Sequence, residues 1–187
     1  LEAPFFDAKA DDAANYGSIG AVIGHEVSHG FDNLGSEFDA EGRLRNWWTK
    51  DDAAHFKAAT DKLVAQYDAY EALPGLHLSG KQTLGENIAD VAGLQAAYTA
   101  YHKSLGGKQA PVIDGLSGDE RFFLAFAQAW RAKQRDAALR AQVIGDGHAP
   151  ARWRALTVRN IDAWYQTFKV PEGAKLYLKP EERVKIW

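Results

Sequence analysis

The stretch Gly24-His25-Glu26-Val27-Ser28-His29-Gly30-Phe31 decides how this chain is read, because it carries an HExxH pentapeptide inside the apolar-periodic run from Tyr16 to Phe31. On a helix, residues i and i+4 share one face, so His25 and His29 can reach one metal ion. Glu26 between them is placed to take a proton from a water molecule at that metal. The pattern therefore predicts half of a zinc site and indicates hydrolysis.

The residues around the pentapeptide are mostly apolar or glycine, which is typical of a buried helix. Buried imidazole and carboxylate groups need partners, and a metal ion supplies them. A solvated helix face carrying ordinary histidines is the alternative. The apolar flanks of the motif favour the metal.

Composition limits the other possibilities. The 187 residues, 46% of them hydrophobic and 25% charged, suit one globular domain. A net charge of -3 offers no basic surface for nucleic acid, and no apolar run is long enough to cross a membrane. With no cysteine in the chain, the metal ligands must be histidines and carboxylates. Because the sequence starts at Leu1 without methionine or a signal peptide, we expect a fragment of a longer protein.

Hydrophobic periodicity and capping residues predict an α+β chain that is predominantly helical. A hairpin with a glycine turn is predicted around Asp39-Ala40-Glu41-Gly42, and a lone strand-like segment at Lys175-Leu176-Tyr177-Leu178. The predicted helices are one opening at Asn15 or Ser18 and ending by Gly35, one from Thr49 to Pro74, one starting at Thr83, one from Ser117 to Trp130, and one from about Thr157 to Phe168.

The third zinc ligand separates the classes of zinc hydrolase. A metzincin would have glycine at position 32 and histidine at position 35, but this chain has Asp32 and Gly35, which excludes that class. Glu86 and Asp90 in Gly85-Glu86-Asn87-Ile88-Ala89-Asp90 are four residues apart, so one helix face could offer both carboxylates to the site. A capping box from Thr83 to Glu86 is the alternative. The HExxH motif favours the ligand interpretation.

The whole chain, in order, resembles the catalytic region of the neprilysin and endothelin-converting enzyme family of zinc metalloendopeptidases. The motifs that carry the resemblance are Asn15-Tyr16-Gly17, Gly24 to Asp32, Gly85 to Asp90, Phe126-Ala127-Gln128-Ala129-Trp130, His148-Ala149-Pro150 with Arg154, and Trp187. The resemblance implies a thermolysin-like zincin (gluzincin) catalytic domain over residues 1–187. The lack of cysteine makes it look like a bacterial member, which implies a periplasmic or extracellular location.

The resemblance also implies a role for each matching residue. One Zn²⁺ ion would be held by His25, His29 and Glu86, with Glu26 as general base and Asp90 as a further catalytic group. Asp90 and Asp32 would orient His25 and His29 respectively. His148 would stabilise the oxyanion, although a histidine beside Pro150 could also be an ordinary loop residue. Arg154 would hold a substrate carbonyl, and Phe5, Val22 and Trp130 would line the specificity pocket, with core packing as the alternative for these three.

We therefore expect a zinc metalloendopeptidase that cleaves oligopeptides on the amino side of bulky hydrophobic residues. Its partners would be peptides and the missing N-terminal part of the same protein, with no nucleic acid and no membrane contact from this segment. A zinc-binding but catalytically impaired fragment is an alternative, because the substrate-binding strand and the covering helical domain of the family lie upstream. A di-iron helical bundle is more remote, since it would need a second Glu-x-x-His unit and the chain has none.

Overall fold

The computed structural model describes residues 2–186, so Leu1 and Trp187 lie outside the described residues. The elements are α1 (Asp12–Asn15), α2 (Ala21–Ser28), α3 (Lys50–Asp68), β1 (Glu71–Leu73), β2 (Leu76–His77), α4 (Leu84–Ser104), α5 (Gly118–Ala129), α6 (Asp136–Gly145), α7 (Ala151–Ala155) and α8 (Asp162–Phe168). Strands β1 and β2 form a two-stranded antiparallel sheet. The predicted fold class, mainly helical with one short hairpin, is confirmed.

Two predicted helix starts are confirmed by their capping bonds. The Thr49 side chain accepts a hydrogen bond from the backbone N–H of Asp52, and Ser117 forms a reciprocal capping box with Glu120. Thr83 precedes α4 but caps nothing, because its hydroxyl donates to the Ser79 carbonyl and accepts from Asn87. The alternative in which Glu86 belongs to a capping box is therefore wrong.

The helical region that holds the HExxH motif starts earlier than the sequence indicates. It begins with α1, where the Asp11 side chain caps Ala13, and it passes through a π-helical turn at Tyr16–Gly20 into α2. A 3-10 turn at His29–Phe31 ends it. The predicted start at Asn15 or Ser18 is wrong, because the first helical residue is Asp12 and the capping side chain is that of Asp11.

One side of α2 is buried and the other is not. Its buried residues Ala21, His25 and Ser28 face α4, and these two helices form the most extensive packing between any two described elements. Ile23 and Val27 on the opposite side are 57% and 66% exposed. The expectation of a buried helix therefore holds for the face that carries His25 and not for the opposite side.

The sheet is not where the sequence placed its hairpin. Around Asp39 the two arms of the turn are joined by one isolated antiparallel bridge, between Phe38 and Leu44, with backbone bonds from Asp39 N–H to the Arg43 carbonyl and from Arg45 N–H to the Glu37 carbonyl. The Asp39 carboxylate accepts the backbone N–H groups of Glu41 and Arg43, so the pairing does not extend into strands. The sheet lies instead at residues 71–77, where Gly75 adopts a φ of 73° in the connecting turn.

The end of the chain also differs from the prediction. The predicted helix from Thr157 to Phe168 is interrupted at Ile161, so that a 3-10 segment, Leu156–Asn160, precedes α8. Residues 175–178 form no strand, and α6 and α7 were not predicted. Helix α6 contributes Val143 to the core, and α7 carries Arg154 to the site described below.

Helix α4 is the centre of the molecule. Its Ile88 and Val91 belong to a core cluster with α3, α6 and the C-terminal segment, whereas Leu94 and Tyr101 belong to a second cluster with α5. Because α4 is covered on several sides, its first two turns are held rigidly against α2. Within residues 2–186 no helix has the length and apolar character needed to cross a membrane.

Candidate metal centre

Three possible ligand atoms converge where α2 meets the start of α4. The Nε2 atom of His25 lies 3.1 Å from Nε2 of His29 and 3.1 Å from Oε2 of Glu86. Nε2 of His29 lies 3.7 Å from Oε1 of Glu86. A tetrahedral zinc ion with bonds of about 2.0–2.2 Å separates its ligand atoms by roughly 3.3–3.6 Å. The three side chains are therefore spaced as zinc ligands are.

The Glu86 carboxylate supports this fit. Its Oε2 atom is buried and forms no hydrogen bond with any residue that the structure describes. The Nε2 atoms of His25 and His148 each lie 3.1 Å from this oxygen without forming a hydrogen bond to it. A cation beside the oxygen would supply the partner that a buried carboxylate needs. The donor set of two imidazoles and one carboxylate, with no thiolate, is one that catalytic zinc sites use.

Each histidine is oriented by its own carboxylate. Nδ1 of His25 lies 2.8 Å from Oδ1 of Asp90, and Nδ1 of His29 lies 2.7 Å from Oδ2 of Asp32. Because each carboxylate takes the Nδ1 hydrogen, the lone pair of each Nε2 is directed to the centre of the site. The family resemblance implied both orienting residues, and each lies within hydrogen-bond distance of its histidine.

The Asp32 carboxylate also accepts hydrogen bonds from the backbone. Its Oδ1 atom accepts the N–H groups of Leu34 and Gly35, at 2.7 and 2.8 Å, directly after the helix ends. The same buried carboxylate therefore ends the helical region and fixes the His29 ring.

Asp90 is bound by His25 and by the cationic Arg154, and it stays ionised. Burial alone would raise its pKa, but hydrogen bonds from His25 and Arg154 hold the pKa below its ordinary value of 3.8. Burial likewise lowers the pKa of His25, but the hydrogen bond and charge of Asp90 outweigh it and raise the pKa above 6.5. The hydrogen bond between the two side chains thus favours the ionised form of Asp90.

Arg154 holds Asp90 from the other side. Its Nε and Nη2 donate to the two Asp90 oxygens at 2.9 and 2.7 Å, and its guanidinium lies 4.0 Å from the ring centroid of Trp130. Sequence reasoning assigned Arg154 to a substrate carbonyl. Among the described residues Nη1 has no hydrogen-bond partner, so this nitrogen is the part of the side chain available to a substrate.

His148 reaches the centre from the loop between α6 and α7. Its Nε2 atom lies 3.1 Å from Glu86 Oε2, and its Nδ1 lies 2.8 Å from Asp146 Oδ1. The Asp146 carboxylate also accepts the backbone N–H of His148, at 2.9 Å. Sequence reasoning missed Asp146, and the only available signal was a carboxylate two residues before the histidine.

A cavity of about 270 Å³ opens beside the three ligands. Glu26, which is exposed, lines it together with His25, His148 and Arg154. The predicted pocket residues Phe5, Val22 and Trp130 all line this cavity as well, and the rings of Phe5 and Trp130 pack edge to face at 6.1 Å. Ile19, Ala21, Phe126 and Ala129 complete its apolar wall, and sequence reasoning did not name them.

Comparisons with known proteins agree with this geometry. The sequence pattern of Peptidase family M13 matches residues 1–184. The whole chain aligns with mouse endothelin-converting enzyme 1 at 38% identity, and with a neutral endopeptidase of Lactobacillus helveticus at 41% identity. It covers 24% and 27% of those two proteins, so it spans about a quarter of the length of the curated relatives it matches.

A solved structure gives the same result. The zinc metalloprotease of Mycobacterium tuberculosis, bound to an inhibitor, superposes on the whole chain with a TM-score of 0.95 and 49% sequence identity. The matched region makes up 29% of that protein. At this identity the likeness extends to the sequence as well as the fold.

Proposed function

The chain belongs to Peptidase family M13, and from this premise we propose that it is the catalytic region of a zinc-dependent endopeptidase. The observation that carries the proposal is the convergence of His25, His29 and Glu86 beside a cavity lined by Glu26. In the proposed reaction, oligopeptides are hydrolysed on the amino side of bulky hydrophobic residues.

One Zn²⁺ ion is the proposed cofactor, held by the three converging side chains. Three protein ligands leave a fourth coordination position open, which distinguishes catalytic from structural zinc sites. Bound zinc would supply Lewis-acid chemistry, since it polarises a carbonyl oxygen and lowers the pKa of a water molecule toward about 7.

Glu26 is the proposed general base. It follows the ligand His25 on α2 and lines the cavity, so its carboxylate is available to a water molecule and to the leaving amine. A carboxylate in this position takes the proton of the attacking water and later gives it to the amine, and such proton transfer contributes typically about 10²- to 10⁴-fold to the rate.

His148 and Arg154 are the proposed donors to the peptide. Nε2 of His148 lies at the edge of the cavity near Glu86, where an N–H donor can stabilise the oxyanion. Nη1 of Arg154 has no hydrogen-bond partner within residues 2–186, and it is the proposed donor to a substrate carbonyl. Asp90 is 3% exposed in its side chain and contacts both His25 and Arg154, so we assign it a positioning role through those two residues.

The cavity supports the proposed specificity. Its walls are mainly apolar, and the aromatic rings of Phe5 and Trp130 meet at one side. A space of about 270 Å³ beside the catalytic side chains fits a large apolar side chain of the peptide. The residue that follows the cleaved bond would occupy it.

A second candidate function is zinc binding with impaired turnover. The chain covers about a quarter of its curated relatives, so residues 1–187 are proposed as a catalytic domain that works with further parts of a longer protein. Its partners would be peptide substrates and those further parts. A periplasmic or extracellular location stays a prediction.

The test compares zinc content and cleavage of a quenched peptide library by the parent chain, by Glu26→Gln and by Glu37→Gln as a control outside the cavity. The proposal expects about one zinc per chain in all three, with cleavage lost only in Glu26→Gln. Absence of zinc from the parent, or equal cleavage by the parent and Glu26→Gln, would overturn it. Zinc without turnover in the parent would favour the second candidate.

A further inference from the structure

His148 lies in a segment that has little packing of its own. Its side chain is 47% exposed, and a Cβ atom on either Gly145 or Gly147 would meet nothing within 4 Å. On the C-terminal side the backbone is fixed, because Ala149 is buried in the core. On the N-terminal side, packing does not fix it.

The N-terminal side is fixed by a side chain from another part of the chain. Gln82 donates from Nε2 to the Asp146 carbonyl at 2.6 Å, and the same nitrogen lies 3.4 Å from the Val143 carbonyl. The Val143 carbonyl lies in the last turn of α6, and Asp146 is the residue directly after the helix. Carbonyl groups at the end of a helix have no N–H donor within the helix and need one from elsewhere. The Asp146 carboxylate in turn binds both the backbone N–H and Nδ1 of His148.

Gln82 also lies at the base of the helix that carries Glu86. Its backbone N–H donates to Ser79 Oγ at 3.2 Å, two residues before α4 begins, and Glu86 follows one helical turn later. Gln82 is thus joined through the backbone to Glu86, and through its side chain to the segment that holds His148. Glu86 Oε2 and His148 Nε2, at the far ends of these two connections, lie 3.1 Å apart.

We propose that Gln82 is a positioning residue, which holds Asp146 and therefore His148 in register with the metal ligand Glu86. The inference rests on the proposed function, because it assigns His148 to the oxyanion. Gln82 itself touches neither metal nor substrate. Loss of its N–H donors would let the segment 145–148 shift, so that the His148 donor would be poorly placed in the transition state while the metal site stayed intact.

The test uses the zinc-loaded chain and the variant Gln82→Glu, which keeps the shape of the side chain and removes both donors. Gln95→Glu is the matched control, since Gln95 is exposed on α4, has no side-chain hydrogen bond among the described residues and receives the same added charge. In Gln82→Glu we expect kcat to fall about 3- to 10-fold with KM little changed, as the loss of one hydrogen bond allows. Gln95→Glu should match the parent.

Two inhibitors separate positioning from general damage. A phosphinic peptide mimics the tetrahedral transition state and needs the His148 donor, so its affinity should fall by the same factor as kcat/KM in Gln82→Glu. A thiol peptide binds the metal without that donor, so its affinity should not change. In a His148→Ala background, Gln82→Glu should cause no further loss of kcat.

Amide exchange at His148 tests the inference even where no peptide is cleaved. Its backbone N–H is bonded to Asp146, and its exchange should be faster in Gln82→Glu than in the parent and in Gln95→Glu. Parental exchange at His148 in Gln82→Glu would overturn the inference, as would equal losses for the phosphinic and thiol inhibitors. A parent chain that shows this exchange difference but cleaves nothing would support the positioning while contradicting the proposed function.

Discussion

Gly24 and Gly93 lie in direct backbone contact where α2 crosses α4. A Cβ atom on Gly24 would lie 2.5 Å from the Gly93 carbonyl oxygen, and one on Gly93 would overlap the backbone nitrogen of His25. The two helices can therefore approach closely only because both positions lack a side chain. This approach brings His25 on α2 within reach of Glu86 and Asp90 on α4.

Gly93→Ala should separate the two helices and weaken the metal site. We expect the free energy of unfolding to fall by about 1–3 kcal/mol, as for overpacking in a core, together with a loss of zinc affinity. Gly145→Ala is the control, because a Cβ atom there meets nothing within 4 Å. Urea unfolding and a competitive zinc titration would measure both effects. Parental zinc affinity in Gly93→Ala would contradict the importance of the close approach.

Asp32→Asn should reduce zinc affinity about 10- to 100-fold, because the amide is a weaker acceptor for Nδ1 of His29 and no longer fixes its ring. Asp39→Asn is a matched control, since the Asp39 side chain is 4% exposed against 8% for Asp32 but binds Arg43 and Arg45 instead of a histidine. Zinc titration against a chelator of known affinity would measure the difference. Equal losses in the two variants would show that any buried carboxylate matters equally.

Trp130→Ala should change substrate choice more than stability. The ring forms one wall of the cavity beside Phe5 and supports Arg154, so its removal should lower kcat/KM by roughly tenfold for peptides with a bulky residue after the cleaved bond. Peptides with a small residue there should lose less. Trp47→Ala, which removes a tryptophan that does not line this cavity, should leave the ratio unchanged when both peptide types are assayed in competition.

Asp162 should make stability depend on pH in the acid range. Hydrogen bonds from Lys185 and then Arg183 hold the pKa of Asp162 below its ordinary value of 3.8. A lowered carboxylate pKa stabilises the fold above the unfolded pKa, and the contribution is lost as the pH falls through the folded pKa. Because the side chain is 41% exposed, we expect only about 0.5 kcal/mol.

Zinc-free parent and Asp162→Asn measured by urea unfolding from about pH 7 to about pH 3 would test this. The parent should be more stable at neutral pH, and the difference should disappear at the acid end. Asp136→Asn removes an acidic residue from the first turn of α6 that has no ion pair among the described residues, so it serves as the control. A difference that grows as the pH falls would contradict the assignment.

Local sequence patterns were sufficient to predict features that lie within one helix, such as the spacing of the histidines and the helix caps. The spacing of His25 and His29, the pair Glu86 and Asp90, and the caps at Thr49 and Ser117 are all local patterns, and each lies within or at the end of a helical segment as predicted. Local patterns also explain the errors. The Asp39 turn has the residues of a hairpin, but its pairing stops at a single bridge because the Asp39 side chain binds the backbone N–H groups of Glu41 and Arg43.

Relationships between distant parts of the chain could not be derived from the sequence. No local sequence pattern indicates that Gly93 faces Gly24. None indicates that Gln82 donates to the Asp146 carbonyl, and none that Arg154 donates two hydrogen bonds to Asp90. The π-helical turn at Tyr16–Gly20 also shifts the helical register, so a period of 3.6 residues misplaces the start of the motif helix. These features depend on how α2, α4, α6 and α7 pack together.

The ligands His29 and Glu86 come from helices that lie roughly 60 residues apart in the chain, so a bound ion would act as a removable cross-link. Like a disulfide, it would close a long loop and reduce the conformational entropy of the unfolded chain, by an amount worth about 4 kcal/mol in the chain-entropy description. Unlike a disulfide, it would form without oxidation and could be withdrawn by a chelator. A chain that has no cysteine would in this way gain a reversible cross-link between the segments that carry His29 and Glu86.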